Sequence, residues 1–584
     1  MQKKYIERFG AAILYLAIIL SLCLPLKLLS PPHILGINQV DLTCLCWDQW
    51  FHLKSITELD FSSIWHTNFI AYPNGINIFL EHGPPFWELT SIIFQILFPF
   101  PSSHTFIVIF IILLNAYCFF LLGKYLYKNS LLAFFIGILG SINPYVIYHA
   151  NCGRLQQIAI FWLPLYLISL FKIKLHLQTK HFFIAAILLI LTAFSYWYYA
   201  VFLIFTTLIF FCCYILAQKE KLRFTKYLFS IILLFTLIML MLFGYPVIIK
   251  GLCPQEYGVI KSFPSFQAII SQQTSGYFIH IINSTSLRIF PVSLLLIIIV
   301  NILSILNRKL FKKNLFWVIT ADFFYILSLG PYLKIFDKYT PSLLFMLTHQ
   351  LPTLSRLWWP VNYLALSMTC SIIVIVYYIY HLSWNNRSKS ILVLSLLSIY
   401  LLLFYSNQYS EKTPFLKHSK FYFSQITPHQ EVYFDLKQID TKAIIELPFN
   451  ETDESFLYNQ RIHQKNIFNC PGYEDENFIW PKEQLNLLQS NLFLQYIDMV
   501  CKHYTYLEKD IIIPQKFNKY KINKALKELL ELGIEFVVIN PQYAIRYREK
   551  DKLIRDLSIF FPTAFKTYSD GVKIYCISEL IKTN

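Results

Sequence analysis

DLTCLCWDQWFHLKSITELDFSSIWHTNFIAYPNGINIFLEH, residues 41–82, is the stretch on whose reading the fold turns. It holds Asp41, Asp48, His52, Glu58, Asp60, His66, Glu81 and His82, and it follows closely on an apolar run at 11–29. That run is long enough to cross a bilayer. Acids are expensive in hydrocarbon, so a segment this rich in them lies outside the membrane and beside it. A gathering of carboxylates and imidazoles at a bilayer edge marks a candidate site.

The rest of the chain is as apolar as that placement requires. Over 584 residues, 56% are hydrophobic, 18% aromatic and only 14% charged, with mean hydropathy +0.49. A soluble domain carries about a quarter charged residues, so the composition is that of a polytopic membrane protein. Apolar runs of spanning length recur at 104–123, 131–148, 156–171, 182–196, 198–217, 228–248, 290–306, 314–329, 360–382 and 391–406. With 11–29 they make about eleven transmembrane helices. The first run is too long, and lacks the small-residue cleavage site, for a removed signal peptide.

Orientation follows from the basic residues. With the N-terminus cytoplasmic, the short inner segments collect Lys3, Lys4 and Arg8, Lys124 and Lys128, Lys172, Lys174 and Lys180, then Lys219, Lys221, Arg223 and Lys226. Arg308, Lys309, Lys312 and Lys313, and finally Arg387 and Lys389, continue the series. This asymmetry predicts a cytoplasmic N-terminus. An odd span count then puts residues 41–82 and the C-terminus together outside. The net charge of +16 is mostly this signal, and no basic run is interleaved with a soluble fold that would bind nucleic acid.

After residue 408 the composition turns polar and no membrane-length run remains. The expected organisation is therefore a transmembrane domain at 1–408, with its first outer loop at 31–90, and a soluble α/β domain at 409–584 on the outer side. KAIIEL (442–447) and EFVVIN (535–540) read as buried strands, and 482–499 and 522–532 as amphipathic helices, the second closed by Gly533. Residues 572–577, after Asp570-Gly571, read as one arm of a terminal hairpin. The twelve cysteines show neither a CxxC pair nor zinc-type spacing. One or two disulfides among Cys44, Cys46, Cys470, Cys501 and Cys576 are conceivable.

Within the first loop, Asp41 and Asp48 are seven apart, so a helix through both shows them on one side two turns from each other. Trp47, Trp50 and Phe51 lie on a face suited to the membrane interface. Tyr72-Pro73-Asn74-Gly75 is turn chemistry, and 85–100 reads as a re-entrant or interfacial helix. Tyr196 to Tyr199 read as an interfacial aromatic belt, and His463, Tyr473, Glu474 and Asp475 as a surface loop.

The order of these motifs resembles a known family. Asp41 early in the first outer loop, Trp47, Tyr72-Pro73-Asn74-Gly75 and Glu81-His82 are followed by Asn143-Pro144-Tyr145 with His149, Gly153-Arg154 and Trp162-Leu163-Pro164-Leu165. Gly330-Pro331, Leu351-Pro352 before Ser355-Arg356, Ile445-Glu446-Leu447-Pro448 and Leu532 to Val538 continue the series. Together they are similar to the polytopic bacterial proteins related to the GT-C glycosyltransferases, over nearly the whole chain. The resemblance implies a sugar transferase of the bacterial cytoplasmic membrane that uses a polyprenyl-phosphate-linked donor on the outer face. Where members often carry a His, this chain has Arg154.

The chemistry of such a transfer can be set against the residues themselves. It needs a base for the acceptor hydroxyl and cationic or hydrogen-bonding groups for the departing phosphate. Asp41, a carboxylate at the membrane edge, is the first candidate base; Asp48 is a second base or a metal ligand. Glu81 and His82 would orient the acceptor or hold a divalent cation, with Asp41, Asp48 and His82 the candidate metal ligands. Arg154 suits the phosphate, Arg356 is the second choice, and Trp47 joins the substrate-binding set. The acceptor is left open among glycan, lipid and protein. A lipid-linked sugar transporter would want charges and broken helices paired in two repeated halves, and a non-catalytic envelope assembly protein would use its tail for partners. The spans carry almost no charge, with Asp322 the main exception, which favours the transferase.

Overall fold

The computed structural model describes residues 2–22, 33–37, 40–78, 85–252, 291–335, 338–348, 359–409, 420–425, 431–449, 455–470, 481–506, 519–541, 549–558, 561 and 564–583. Among the described residues, seven helices are long and apolar enough to cross a membrane: Ser102–Tyr127, Ser130–Asn151, Leu155–His176, Trp197–Ala217, Lys221–Met241, Pro360–Tyr380 and Asn386–Tyr405. The four other expected spans meet helices at Gln2–Leu22, Thr179–Ser195, Pro291–Leu306 and Arg308–Ser328, residues 23–29 of the first lying outside the described residues. The fold is mainly α, of a multi-pass membrane protein.

The chain divides into two compact units. The segment Asn38–Ile92 belongs to the same unit as Pro246–Lys261 and the tail from Ile426 onward, and most of the apolar helices make up the other.

In the helical unit, polar side chains placed between helices replace the water that hydrocarbon cannot supply. Asn115 Nδ2 donates to the Ile158 carbonyl at 2.7 Å, Tyr127 Oη to Ile373 at 2.7 Å, and Ser367 Oγ to Ala321 at 2.9 Å. Asp322, the exceptional intramembrane acid, accepts from Asn301 Nδ2 at 2.9 Å. Asn143-Pro144 is a helix start: the Asn143 side chain accepts from Val146 N at 3.1 Å, and the proline occupies the first turn, where an N–H would have no partner.

The second unit is a five-stranded mixed sheet flanked by helices. Ala443–Leu447 lies between Asn466–Ile467 and Ile534–Ile539, parallel to both; Lys573–Cys576 runs antiparallel to Ile534–Ile539, and Lys566–Thr567 closes the edge antiparallel to it. The terminal hairpin is therefore present. Gly533 turns the chain into its strand at φ +81°. The helix expected at 482–499 is two, Lys482–Ser490 and Leu492–Tyr506. Asn491 breaks it: its Oδ1 accepts from Leu494 N, while its Nδ2 donates to Ala525 O at 2.9 Å.

The loop does not lie over this domain; it completes the domain's core. Trp47, Phe51, Ile70, Ala71, Tyr72, Ile76 and Ile78 share one hydrophobic cluster with the tail strands and helices. Phe69 O accepts from Ile467 N at 2.9 Å, and Ala71 N and Tyr72 N donate to Asn469 O and Ile467 O, so loop backbone extends the sheet edge. Two tail glutamines, both buried, fasten it. Gln460 Oε1 accepts from Trp47 Nε1 at 2.7 Å while its amide donates to Phe69 O and Lys465 O. Gln484 Nε2 donates to Tyr72 O and Phe468 O, and its Oε1 accepts from Asn74 Nδ2 at 3.0 Å. The Tyr72–Gly75 turn needs its glycine: Gly75 has φ +74°, and a Cβ there would stand 2.2 Å from Asn68 Oδ1 and 2.5 Å from Thr67 O.

His463, expected on a surface loop, is instead buried beside the sheet. Its Nδ1 accepts from Lys465 N at 3.0 Å, which leaves the ring proton on Nε2, facing Glu446 Oε1 at 3.3 Å. Glu446 Oε2 accepts from Tyr433 Oη at 3.1 Å, and that hydroxyl accepts from Asn540 Nδ2 at 2.9 Å. Every acceptor of the carboxylate is used on a donor. Glu446→Gln introduces an amide that opposes either the His463 N–H or the Tyr433 O–H, so one donor is orphaned, at a cost of about 1–3 kcal/mol. The melting midpoint of the full chain in detergent should fall by roughly 2–10 °C; an unchanged midpoint would mean that the network relaxes freely. Tyr473, Glu474 and Asp475 lie outside the described residues.

Candidate functional site

In the loop unit, Asp41, Trp47 and Asp48 sit on one helix, Val40–Thr57. They do not share an environment. Asp41 is exposed in the first turn, where free backbone N–H groups and the helix dipole favour a carboxylate. Asp48, two turns on, is only 5% exposed. Its surroundings include the Cys46 thiol, which burial pushes up to about 12 against the opposing pull of Arg461, with Asp48 adding to the rise. The Arg461 guanidinium stands over the Tyr458 ring at 4.9 Å, and burial lowers its proton affinity. Asp48 thus belongs to a buried charge cluster where loop meets tail.

The other titratable groups of the loop are engaged in local structure. His52 is buried, and its Nδ1 donates to the Asp48 carbonyl at 2.8 Å. Glu58 pairs with Lys54. Asp60 accepts from Ser62 Oγ at 2.6 Å and from Ser63 N, and the Ser62 hydroxyl first of all holds its carboxyl below the usual range. Asp41, Glu58 and Asp60 are all exposed, and Asp41 is the one that stands in the first turn of a helix.

Trp47, expected in the substrate-binding set and on an interfacial face with Trp50 and Phe51, is 0% exposed. It stacks on Phe51 at 4.8 Å between centroids and spends its N–H on Gln460. The tail supplies both the apolar cover and the acceptor that the ring needs, so the indole serves the packing of the loop. Glu81, His82 and Arg356 lie outside the described residues. Among the described residues no three His, Cys, Asp or Glu side chains come together as metal ligands, and ten described cysteines are free thiols. Phe86–Leu97, within the expected interfacial segment, is a helix that exposes Leu89, Ile93, Ile96 and Leu97 on one side.

In the helical unit, Arg154 is placed by a helix end. Pro144–Asn151 stops as Gly153 takes φ +79°, and Arg154 N donates back to His149 O at 3.0 Å. The half-buried guanidinium stands over the Trp359 ring at 5.1 Å and the Tyr148 ring at 6.0 Å. Beside it runs a hydrogen-bonded chain: Tyr145 Oη donates to Tyr199 Oη at 2.7 Å, Tyr199 Oη to Gln157 O at 2.5 Å, and Asn362 Nδ2 to Tyr196 Oη at 2.9 Å. Tyr196 and Tyr199, read as an aromatic belt, are 7% and 0% exposed. They are buried because Tyr145, Gln157 and Asn362 satisfy their hydroxyls inside the bundle. A guanidinium held between ring faces, with its donors in a fixed plane, is suited to phosphate oxygens. Trp359 and Tyr148, the ring partners of Arg154, were not singled out in the sequence.

No protein-family model and no curated protein matches the chain. Solved structures do. The arabinofuranosyltransferase AftD from mycobacteria superposes with TM-score 0.57 at 13% identity, covering 98% of this chain and 40% of that one. This chain therefore spans about two fifths of that structure's length. The archaeal oligosaccharyltransferase AglB from Archaeoglobus fulgidus, solved with an inhibitory peptide and a dolichol-phosphate, gives TM-score 0.48 at 12% identity, covering 92% of this chain and 70% of that one.

Proposed function

We propose, for a chain that has the GT-C membrane fold, that it is an integral-membrane glycosyltransferase taking its sugar from a polyprenyl-phosphate donor, with Asp41 as general base. One observation carries the reading: of the described acids of the first loop, Asp41 is the exposed carboxylate in the first turn of a helix, whereas Asp48 and Glu88 are buried and Glu58 and Asp60 follow the helix's C-terminal end. The fold shared with an enzyme named for arabinofuranosyl transfer supports it.

In the proposed reaction the Asp41 carboxylate takes the proton of an acceptor hydroxyl as that oxygen bonds to the anomeric carbon. The bond from the anomeric carbon to the phosphate oxygen breaks, and its electron pair leaves with the phosphate. The charge so released needs cationic or hydrogen-bonding groups; within the helical unit the Arg154 guanidinium, over the Trp359 and Tyr148 rings, has the chemistry to bind phosphate oxygens. Because phosphate is a competent leaving group, no strong acid is required. The helices would place this chemistry on the outer face of a bacterial cytoplasmic membrane, with the N-terminus inside and the loop–tail unit outside.

The test is turnover by the purified full chain in lipid nanodiscs supplied with polyprenyl-phosphate sugars and an acceptor panel. Transfer with release of polyprenyl phosphate is expected. Saturable binding without turnover across the panel would overturn the transferase in favour of transport or assembly.

A further inference from the structure

The helical unit contains a second polar feature, lined by residues other than Arg154 and its ring partners and unused by the proposed transfer. A cavity of about 940 Å³ is lined by Arg8, Lys124, Lys128, Lys172, His181 and Tyr125. These come from the N-terminal helix, from the end of Ser102–Tyr127, from Trp162–His176 and from the start of Thr179–Ser195. All lie at the basic end of the helices, which the orientation proposed above makes the cytoplasmic end; the inference rests on that reading for which leaflet is meant.

Charge and burial both point to an anion. Lys124 is balanced by Glu7 at 2.8 Å, so Arg8, Lys128 and Lys172 remain as excess cations on the wall. His181 is 8% exposed and its Nδ1 is buried without a hydrogen-bond partner among the described residues, as is the Tyr125 hydroxyl. Buried polar atoms of this kind are normally satisfied. A phosphate group in the cavity would accept from both.

The rest of the wall indicates what carries the phosphate. Leu165, Ile168 and Leu188 give one side an apolar lining. Ile184, also in the wall, is 46% exposed and continues into exposed Phe183 and Ile187. The cavity thus opens sideways onto an apolar helix face, the face that hydrocarbon covers. A free anion would gain nothing from that opening, whereas a phospholipid could seat its headgroup among the cations and leave its acyl chains outside.

We propose that this cavity binds the phosphate headgroup of an anionic phospholipid from the leaflet at the basic end of the helices. Basic pockets between transmembrane helices are suited to such headgroups, and a volume of this order is that of a small-molecule site. The test is native mass spectrometry of the purified full chain in detergent, titrated with phosphatidylglycerol, phosphatidylcholine or inorganic phosphate. Phosphatidylglycerol should bind at least tenfold more tightly than phosphatidylcholine. Lys128→Gln with Lys172→Gln should weaken it about 25-fold, at roughly fivefold per cation, whereas Lys128→Arg with Lys172→Arg should retain it. Equal binding of the two lipids by the wild-type chain, an unchanged affinity in the double glutamine variant, or inorganic phosphate displacing the lipid at equal concentration would each overturn the proposal. The readout is binding, so a chain with no transferase activity still answers the question.

Discussion

Asp41→Asn is expected to lower kcat/KM for transfer from a polyprenyl-phosphate sugar by about 10²–10⁴, the contribution of a positioned base. The substitution keeps shape and polarity at an exposed first-turn position, and the favourable meeting of a carboxylate with the helix N-terminus that it removes amounts to about 0.3–1 kcal/mol. Folding and membrane insertion should therefore be unchanged, which makes the loss of rate interpretable. The companion Asp48→Asn behaves differently. Asp48 is 5% exposed beside the buried Cys46 thiol, so an amide in its place must find new partners inside a packed site, and the expected loss is in folded yield and melting midpoint. Retained transfer in Asp41→Asn, or loss in Asp48→Asn with no loss of stability, would move the base from the first acid to the second.

The helices were legible because a hydrophobic span is a local property: each of the eleven apolar runs is read from its own residues. The same holds for the strands around Ile445 and Val537 and for the stop at Gly533. The attachment of the loop to the tail was not legible. Trp47 meets Gln460, and Asn74 meets Gln484, across more than four hundred residues, and nothing local in TCLCWDQW distinguishes an indole for the membrane interface from one that plugs a distant sheet. Tyr196 and Tyr199 fail for a related reason, since an aromatic belt and a hydrogen-bonded core have the same composition and only the distant partners Tyr145 and Asn362 separate them. Asp41 was legible as a candidate from its position alone; what the structure adds is the contrast with Asp48, which a seven-residue spacing made look equivalent.

Arg154→Gln is expected to cost about 10²–10³ in kcat, the usual loss when one preorganised donor to developing negative charge is removed. Arg154→Lys divides the possible causes. Lysine keeps the positive charge and loses the planar fork that lies over Trp359 and Tyr148. If charge alone matters, Lys should restore most of the rate; if the fork grips two phosphate oxygens at once, Lys should stay about tenfold or more below wild type, and Trp359→Leu should reproduce that deficit without touching the substrate. A merely structural Arg154 predicts another pattern. The melting midpoint would fall in all three variants, while the folded fraction kept its wild-type kcat, because the Tyr145–Tyr199–Gln157 chain and the Asn362–Tyr196 bond beside it would be what the arginine supports. A kcat loss at constant midpoint therefore assigns the guanidinium to the leaving phosphate, and a midpoint loss at constant kcat returns it to the packing of the bundle.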